Sequence, residues 1–295
     1  MRAAPQAPTA LVLAGGGSLG AVQVGMLLAL VEAGLDTSFV IGSSVGALNA
    51  AYFAGDPDIA GVRRLADIWC GLRRADIFPF SLSTLIGGLG RSNGIVDPSN
   101  LRHLIEAHLA FDRIEQARLP LHIMSTDHQG FGVRLSQGPV VEAILASSAV
   151  PGIFPPVVIA GRPLIDGAIA ANTPLRVAAG LGARRIVVLP TGYACALQKP
   201  PQGAIASMLH AVTLLVARQL MHEIETMPPD VSVYLAPTLC PLAVSPYDFT
   251  ASRALIERAY RGTIAWVRKG GLNRPARACE LAVHHHHGGQ DQERA

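Results

Sequence analysis

Residues 39–52 read Phe39-Val40-Ile41-Gly42-Ser43-Ser44-Val45-Gly46-Ala47-Leu48-Asn49-Ala50-Ala51-Tyr52. The apolar run at the front suits a buried strand, and the Ala/Leu-rich stretch behind suits a helix. Between them stands a G-x-S-x-G pentapeptide, the sequence form of a sharp strand-to-helix turn that lifts a serine hydroxyl out at the end of a sheet. Gly42 and Gly46 allow the turn where side chains would clash, which makes Ser44 the candidate nucleophile. An ordinary Gly/Ser turn reads the same in isolation, so the surrounding chain has to decide.

Upstream, Gly15-Gly16-Gly17-Ser18-Leu19-Gly20 follows a short strand at 10–14 and opens a helix at 19–33 that stops at Gly34. Backbone amides at such a helix start converge on an anion. Attack on an ester creates an oxyanion that needs such donors, so Gly15, Gly16 and Gly17 are the candidate oxyanion loop. This turn and the Ser44 turn follow successive strands and are expected side by side at one end of the sheet. The same six residues fit G-x-G-x-x-G, a dinucleotide fingerprint. That alternative needs an acidic residue at the end of the second strand to hold a ribose, and Gly42-Ser43-Ser44 stands there instead.

The rest of the chain alternates. Helices are predicted at 47–54, 59–72, after Asp97-Pro98, and at 140–148, 174–179, 204–225 and 252–269. Strands are predicted at 121–125, 132–135, 157–159, 185–189 and 231–235. Alternating strands and helices predict a three-layer αβα fold with a mostly parallel central sheet, built as one domain over 1–271. Residues 272–295, with the run His284-His285-His286-His287, are expected to form a disordered tail and not a metal site.

Composition agrees with a sheet buried on both faces: 50% of the 295 residues are hydrophobic and 15% charged. A net charge of +3, with no aromatic-interleaved basic patch and no zinc-type spacing, argues against nucleic acid as a partner. Cys70, Cys195, Cys240 and Cys279 form no C-x-x-C pair, which predicts reduced thiols in a cytoplasmic protein. The longest apolar stretch, 204–217, contains His210 and falls short of the ~20 residues that span a bilayer.

A serine nucleophile needs a base. His210 and His222 both sit in a helical stretch, where a catalytic histidine is unusual. Asp166, in Leu164-Ile165-Asp166-Gly167-Ala168, is a carboxylate delivered by a strand end onto a glycine turn, although Asp-Gly also marks plain hairpins. A Ser-Asp-His triad and a Ser-Asp pair are both open on these residues alone.

Taken in order, Gly15 to Gly20, Gly42 to Gly46 and Asp166-Gly167-Ala168 resemble the patatin-like phospholipase family. Ala146-Ser147-Ser148-Ala149-Val150-Pro151-Gly152-Ile153-Phe154-Pro155-Pro156 resembles the family's A-S-x-A-x-P-x-x-F-x-P stretch, and Ser125-Thr126-Asp127 its T-D strand end. The resemblance implies a patatin-like αβα fold and a Ser44/Asp166 dyad with no catalytic histidine. It also implies hydrolysis of lipid or other carboxylic esters through an acyl-enzyme, without metal or nucleotide cofactor. The family commonly carries arginine or lysine where this chain has Leu19, so cationic help to an anionic head group is expected to be missing. Residues 77–89, apolar and flanked by Arg73, Arg74 and Arg91, read either as a buried connector or as a cap that meets acyl chains or an anionic membrane surface.

Overall fold

The structure is a computed structural model that describes residues 7–77, 96–192, 204–239 and 248–277, with 204–210, 212 and 213 as backbone only. The expected cap at 77–89, beyond Ile77, and the four-histidine run lie outside the described residues.

Among the described residues one sheet holds β1 (Thr9–Leu13), β2 (Phe39–Ser43), β3 (Leu121–Asp127), β4 (Gly132–Leu135), β5 (Val157–Ile159), β6 (Arg162–Asp166), β7 (Arg185–Leu189) and β8 (Ser232–Leu235). Strands β8, β7, β1, β2 and β3 run parallel in that spatial order. The sheet is mixed beyond them, because β4 and β6 are antiparallel to β3 and β5 is antiparallel to β6. Short connections force the β3–β4 and β5–β6 pairs, since a tight turn can join only antiparallel neighbours. Ala160 and Gly161, which link β5 to β6, have φ of 48° and 76°, the pair of positive values that a type I′ hairpin requires.

The helices are α1 (Gly20–Glu32), α2 (Val45–Gly55), α3 (Ile59–Gly71), α4 (Arg74–Ile77), α5 (Ser99–His108), α6 (Val140–Ser147), α7 (Ala168–Ala171), α8 (Leu175–Gly180), α9 (Ala204–Glu225) and α10 (Ser252–Arg268). Alternate strand residues feed two cores. Leu11, Leu13, Val40, Ile123 and Val187 face α1, α2, α3, α6 and α10. Ala10, Val12, Ile41, Met124 and Val188 face α7, α8 and α9. The three layers follow from period-two alternation within strands that are apolar on both sides.

Helix α1 is apolar almost all round because it lies between the sheet and α10. Gly25 is where the two helices touch: a Cβ there would overlap the Ile256 carbonyl. The buried polar side chain of α1, Gln23, has its amide satisfied from both sides. Its Nε2 donates to the carbonyls of Ala14 (2.7 Å) and Leu189 (2.9 Å). Its Oε1 accepts from Asn49 Nδ2 at 2.9 Å, and Asn49 Oδ1 accepts from Trp69 Nε1 at 2.9 Å. This chain ties α2 and α3 to the ends of β1 and β7.

Residues just past the expected boundary at 271 contact the domain. Leu272 packs on the core, its carbonyl accepts from Arg185 Nη2 at 3.1 Å, and the Ala276 amide donates to the Val233 carbonyl at 2.7 Å. The chain thus stays on the fold past residue 272, held by the free edge of β8. Among the described residues no helix is long and apolar enough to cross a membrane.

Candidate active site

Strand β2 ends at Ser43, α2 begins at Val45, and Ser44 between them has φ 53° and ψ −127°. This backbone is strained for an L-residue with a side chain, the conformation of a nucleophile elbow. The flanking glycines are required by space. A Cβ on Gly42 would overlap the backbone of Gly46, and one on Gly46 would overlap the Leu13 carbonyl on β1. The Ser44 amide donates to Ser147 Oγ at 2.8 Å, which ties the elbow to the end of α6.

Strand register brings Asp166 to it. Pairing of β2 with β3 stops at Ser43↔Met124, and the next β3 residue, Ser125, pairs with Asp166. Ile123 and Met124 lie between β2 and β4, whereas Ser125 and Thr126 lie between β6 and β4. Strand β6 therefore takes the side of β3 that β2 leaves when its chain turns into the elbow. Running antiparallel, it delivers its last residue beside the nucleophile. Ser44 Oγ donates to Asp166 Oδ2 at 2.7 Å, and the Ala168 amide donates to Oδ1 at 2.8 Å. Burial pushes the Asp166 carboxyl up to about 6, the two hydrogen bonds opposing that rise only in part.

The segment 147–149 holds both halves. Besides the Ser147 hydroxyl on the Ser44 amide, the Ser147 carbonyl accepts from the Gly167 amide at 3.1 Å and the Ala149 carbonyl from the Asp166 amide at 3.0 Å. Thr126 Oγ1 donates to the Asp166 carbonyl at 2.8 Å.

The glycine loop lies against the elbow, since β1 and β2 pair in parallel up to Leu13↔Gly42. A Cβ on Gly15 would come within 3.2 Å of Ser44 Cβ and 2.5 Å of Asn172 Oδ1. The Gly15 amide donates to the Asn172 carbonyl at 3.3 Å, and the Gly15 carbonyl accepts from Thr191 Oγ1 at 2.7 Å. Gly17 has φ 60° and begins the 3₁₀ turn that leads into α1. The amides of Gly16 and Gly17 have no acceptor among the described residues.

His222 is exposed on α9 and makes no hydrogen bond to Ser44 or Asp166; the side chain of His210 lies outside the described residues. His122, on β3, packs edge-on against Phe39 beside Arg134, and burial with that neighbouring charge pushes its imidazole down to about 4.

A family model for patatin-like phospholipases matches residues 11–179, a span that holds the glycine loop, the elbow and Asp166. The chain belongs to the patatin-like phospholipase family. The patatin-like phospholipase domain-containing protein 7 of Rattus norvegicus is 29% identical over 192 residues, which cover 62% of this chain and 13% of the rat protein. Lysophospholipase nte1 of Aspergillus terreus is 30% identical over 183 residues, covering 62% of this chain and 12% of the fungal protein. The chain thus matches only a small part of these relatives' length. Human GIVD cytosolic phospholipase A2 shares the fold, with a TM-score of 0.52 at 13% identity, over 94% of this chain and 60% of that one.

Within this patatin-like frame, Leu19 closes the 3₁₀ turn half-buried against the core and brings no charge to the loop. Three residues at the site were not assigned a role from the sequence. Ser147 stood inside a quoted motif, and a buried serine next to an elbow could have been suspected there. Asn172 and Thr191 lie in turns with no local pattern, and only the folded chain puts them on the glycine loop.

Proposed function

We propose that the protein is a serine acyl hydrolase that cleaves carboxylic esters of lipids through Ser44 and Asp166. The observation that carries this reading is the 2.7 Å hydrogen bond from Ser44 Oγ to a buried carboxylate raised to about 6. Such a carboxylate is a better base than an exposed one and is still ionised at pH 7. As Asp166 Oδ2 takes the Ser44 proton, Oγ bonds to the ester carbonyl carbon and the carbonyl π pair moves to oxygen. Collapse of this intermediate expels the alcohol, which leaves with the proton from Asp166, and an acyl-enzyme remains. Water then attacks with Asp166 taking its proton, and a second collapse frees the acid and returns the proton to Ser44.

A carboxylate remains a weak base toward an alcohol, so positioning and charge stabilisation supply most of the acceleration. The Gly15 amide is taken by the Asn172 carbonyl, so within the expected Gly15 to Gly17 loop the amides of Gly16 and Gly17 are the donors for the oxyanion. Ser44 Oγ bonds the Asp166 carboxylate directly, with no imidazole between them, which favours the dyad over a triad. Membership of the family and a relative named as a lysophospholipase support a lipid ester as substrate. With Leu19 in place of a cation, esters with neutral and anionic head groups are expected to turn over at rates within a few-fold of one another. The enzyme would act from the aqueous side, peripheral to its membrane.

Hydrolysis of a chromogenic ester by Ser44→Ala, Asp166→Asn, His210→Ala and His222→Ala tests the reading, with a fluorophosphonate expected to label Ser44 alone. Activity that survives Asp166→Asn and disappears with either histidine would replace the dyad with a triad.

A further inference from the structure

Thr191 lies beyond the family-matched residues, in the turn after β7, and is 5% exposed. We infer that Thr191 is a positioning residue that fixes the orientation of the Gly15–Gly16 peptide and thereby holds the Gly16 amide in place as an oxyanion donor. The inference rests on the acyl-hydrolase reading above.

Three observations carry it. First, Thr191 Oγ1 donates to the Gly15 carbonyl at 2.7 Å. In a trans peptide the carbonyl and the following N–H point in opposite directions, so an anchored Gly15 carbonyl directs the Gly16 N–H away from Thr191. Second, the Thr191 side chain packs directly on Gly16, where a Cβ would overlap its hydroxyl. Thr191 thus fills one side of the loop, and Gly15, where an added Cβ would stand 3.2 Å from Ser44 Cβ, borders the nucleophile. Third, the preceding Ala14–Gly15 peptide unit is tied at both ends: Gln23 Nε2 donates to the Ala14 carbonyl at 2.7 Å and the Gly15 amide to the Asn172 carbonyl at 3.3 Å. The Gly15–Gly16 unit is the next one along, and its carbonyl is held by Thr191.

Glycine needs such a tether because it has no side chain to bias its dihedrals. A flipped Gly15–Gly16 peptide would remove one donor and turn a carbonyl oxygen toward the developing negative charge, a reversal of the interaction that lowers the barrier. Valine at 191 keeps the shape and removes the donated proton, leaving the Gly15 carbonyl unsatisfied in the active orientation.

Thr191→Val, Thr191→Ala and Thr191→Ser are compared with wild type for ester hydrolysis, for melting temperature, and for inhibition by a trifluoromethyl ketone, which forms a tetrahedral oxyanion adduct on the serine. Removal of one oxyanion donor commonly lowers kcat about 10²–10³-fold. A flip that is only sometimes populated should lower it less, by roughly 10–100-fold in Thr191→Val and Thr191→Ala. KM is expected to stay within about twofold, since the loss is confined to the transition state. The ketone should weaken by the same factor as kcat/KM, and Thr191→Ser should restore both. If valine does not fold, alanine, which adds no bulk, carries the comparison. Folded variants with wild-type kcat and ketone affinity, a loss seen only in KM, or a serine variant as impaired as valine would each overturn the role of Thr191. A wild-type protein that neither hydrolyses esters nor takes the fluorophosphonate would instead overturn the acyl-hydrolase reading.

Discussion

Asp166 is a buried carboxylate stabilised, among the described residues, by two hydrogen bonds, from Ser44 and Ala168. Its folded value of about 6 exceeds the ordinary 3.8, so between those values the folded chain binds more protons than the unfolded one. Stability from this group therefore falls as pH rises through that window, by about 3 kcal/mol in all. The ionised form is the proposed base, so kcat/KM should lose activity below about pH 6 along a single-proton acid limb, readable from a pH–rate profile. Asp166→Asn should lower kcat by roughly 10²–10⁴-fold. The same change should raise the melting temperature at pH 8, because an amide in this place is never forced to carry a buried charge. A variant that melts lower than wild type at pH 8 would contradict the burial argument.

At the scale of elements, the elbow is where β2, α2 and β1 approach most closely. Gly46→Ala would push a Cβ into the Leu13 carbonyl. A backbone atom cannot rotate out of the way, so α2 must lift from the sheet, at a stability loss of about 3–5 kcal/mol by chemical denaturation. Ser147→Ala leaves the Ser44 amide without its acceptor. It should cost about 1–3 kcal/mol and lower kcat more than it changes KM. The sequence made most of these elements readable, because strands of alternating or continuous apolar residues and helices with apolar stripes each bear a local period. It failed where pairing decides. The start of β6 at Arg162 and the antiparallel side of the sheet depend on the hairpin at Ala160-Gly161 and on an edge of β3 that opens only when β2 turns away.

For the whole molecule, a half-buried group opposes Asp166. His122 has a folded value of about 4, below the ordinary 6.5, so the unfolded chain binds more protons between those values and stability rises with pH there. The two windows overlap and the two slopes have opposite signs. Wild type should therefore show a shallow stability profile between pH 4 and 6. Asp166→Asn should expose a rise with pH across that range and His122→Gln a fall, both measurable by denaturant titration at several pH values.

Local sterics and periodicity determined a great deal from the sequence alone: a serine on a glycine-flanked turn, a glycine loop at a helix start, two-sided strands between helices, and Asp166 as one of two possible kinds of base. The tertiary structure decided which groups meet. Ser44 is 122 residues from Asp166, 103 from Ser147, and Gly15 is 176 from Thr191. Hydrogen bonds over such separations leave no local signature in a chain, because each partner is a common residue in an ordinary turn until strand register brings it beside the other.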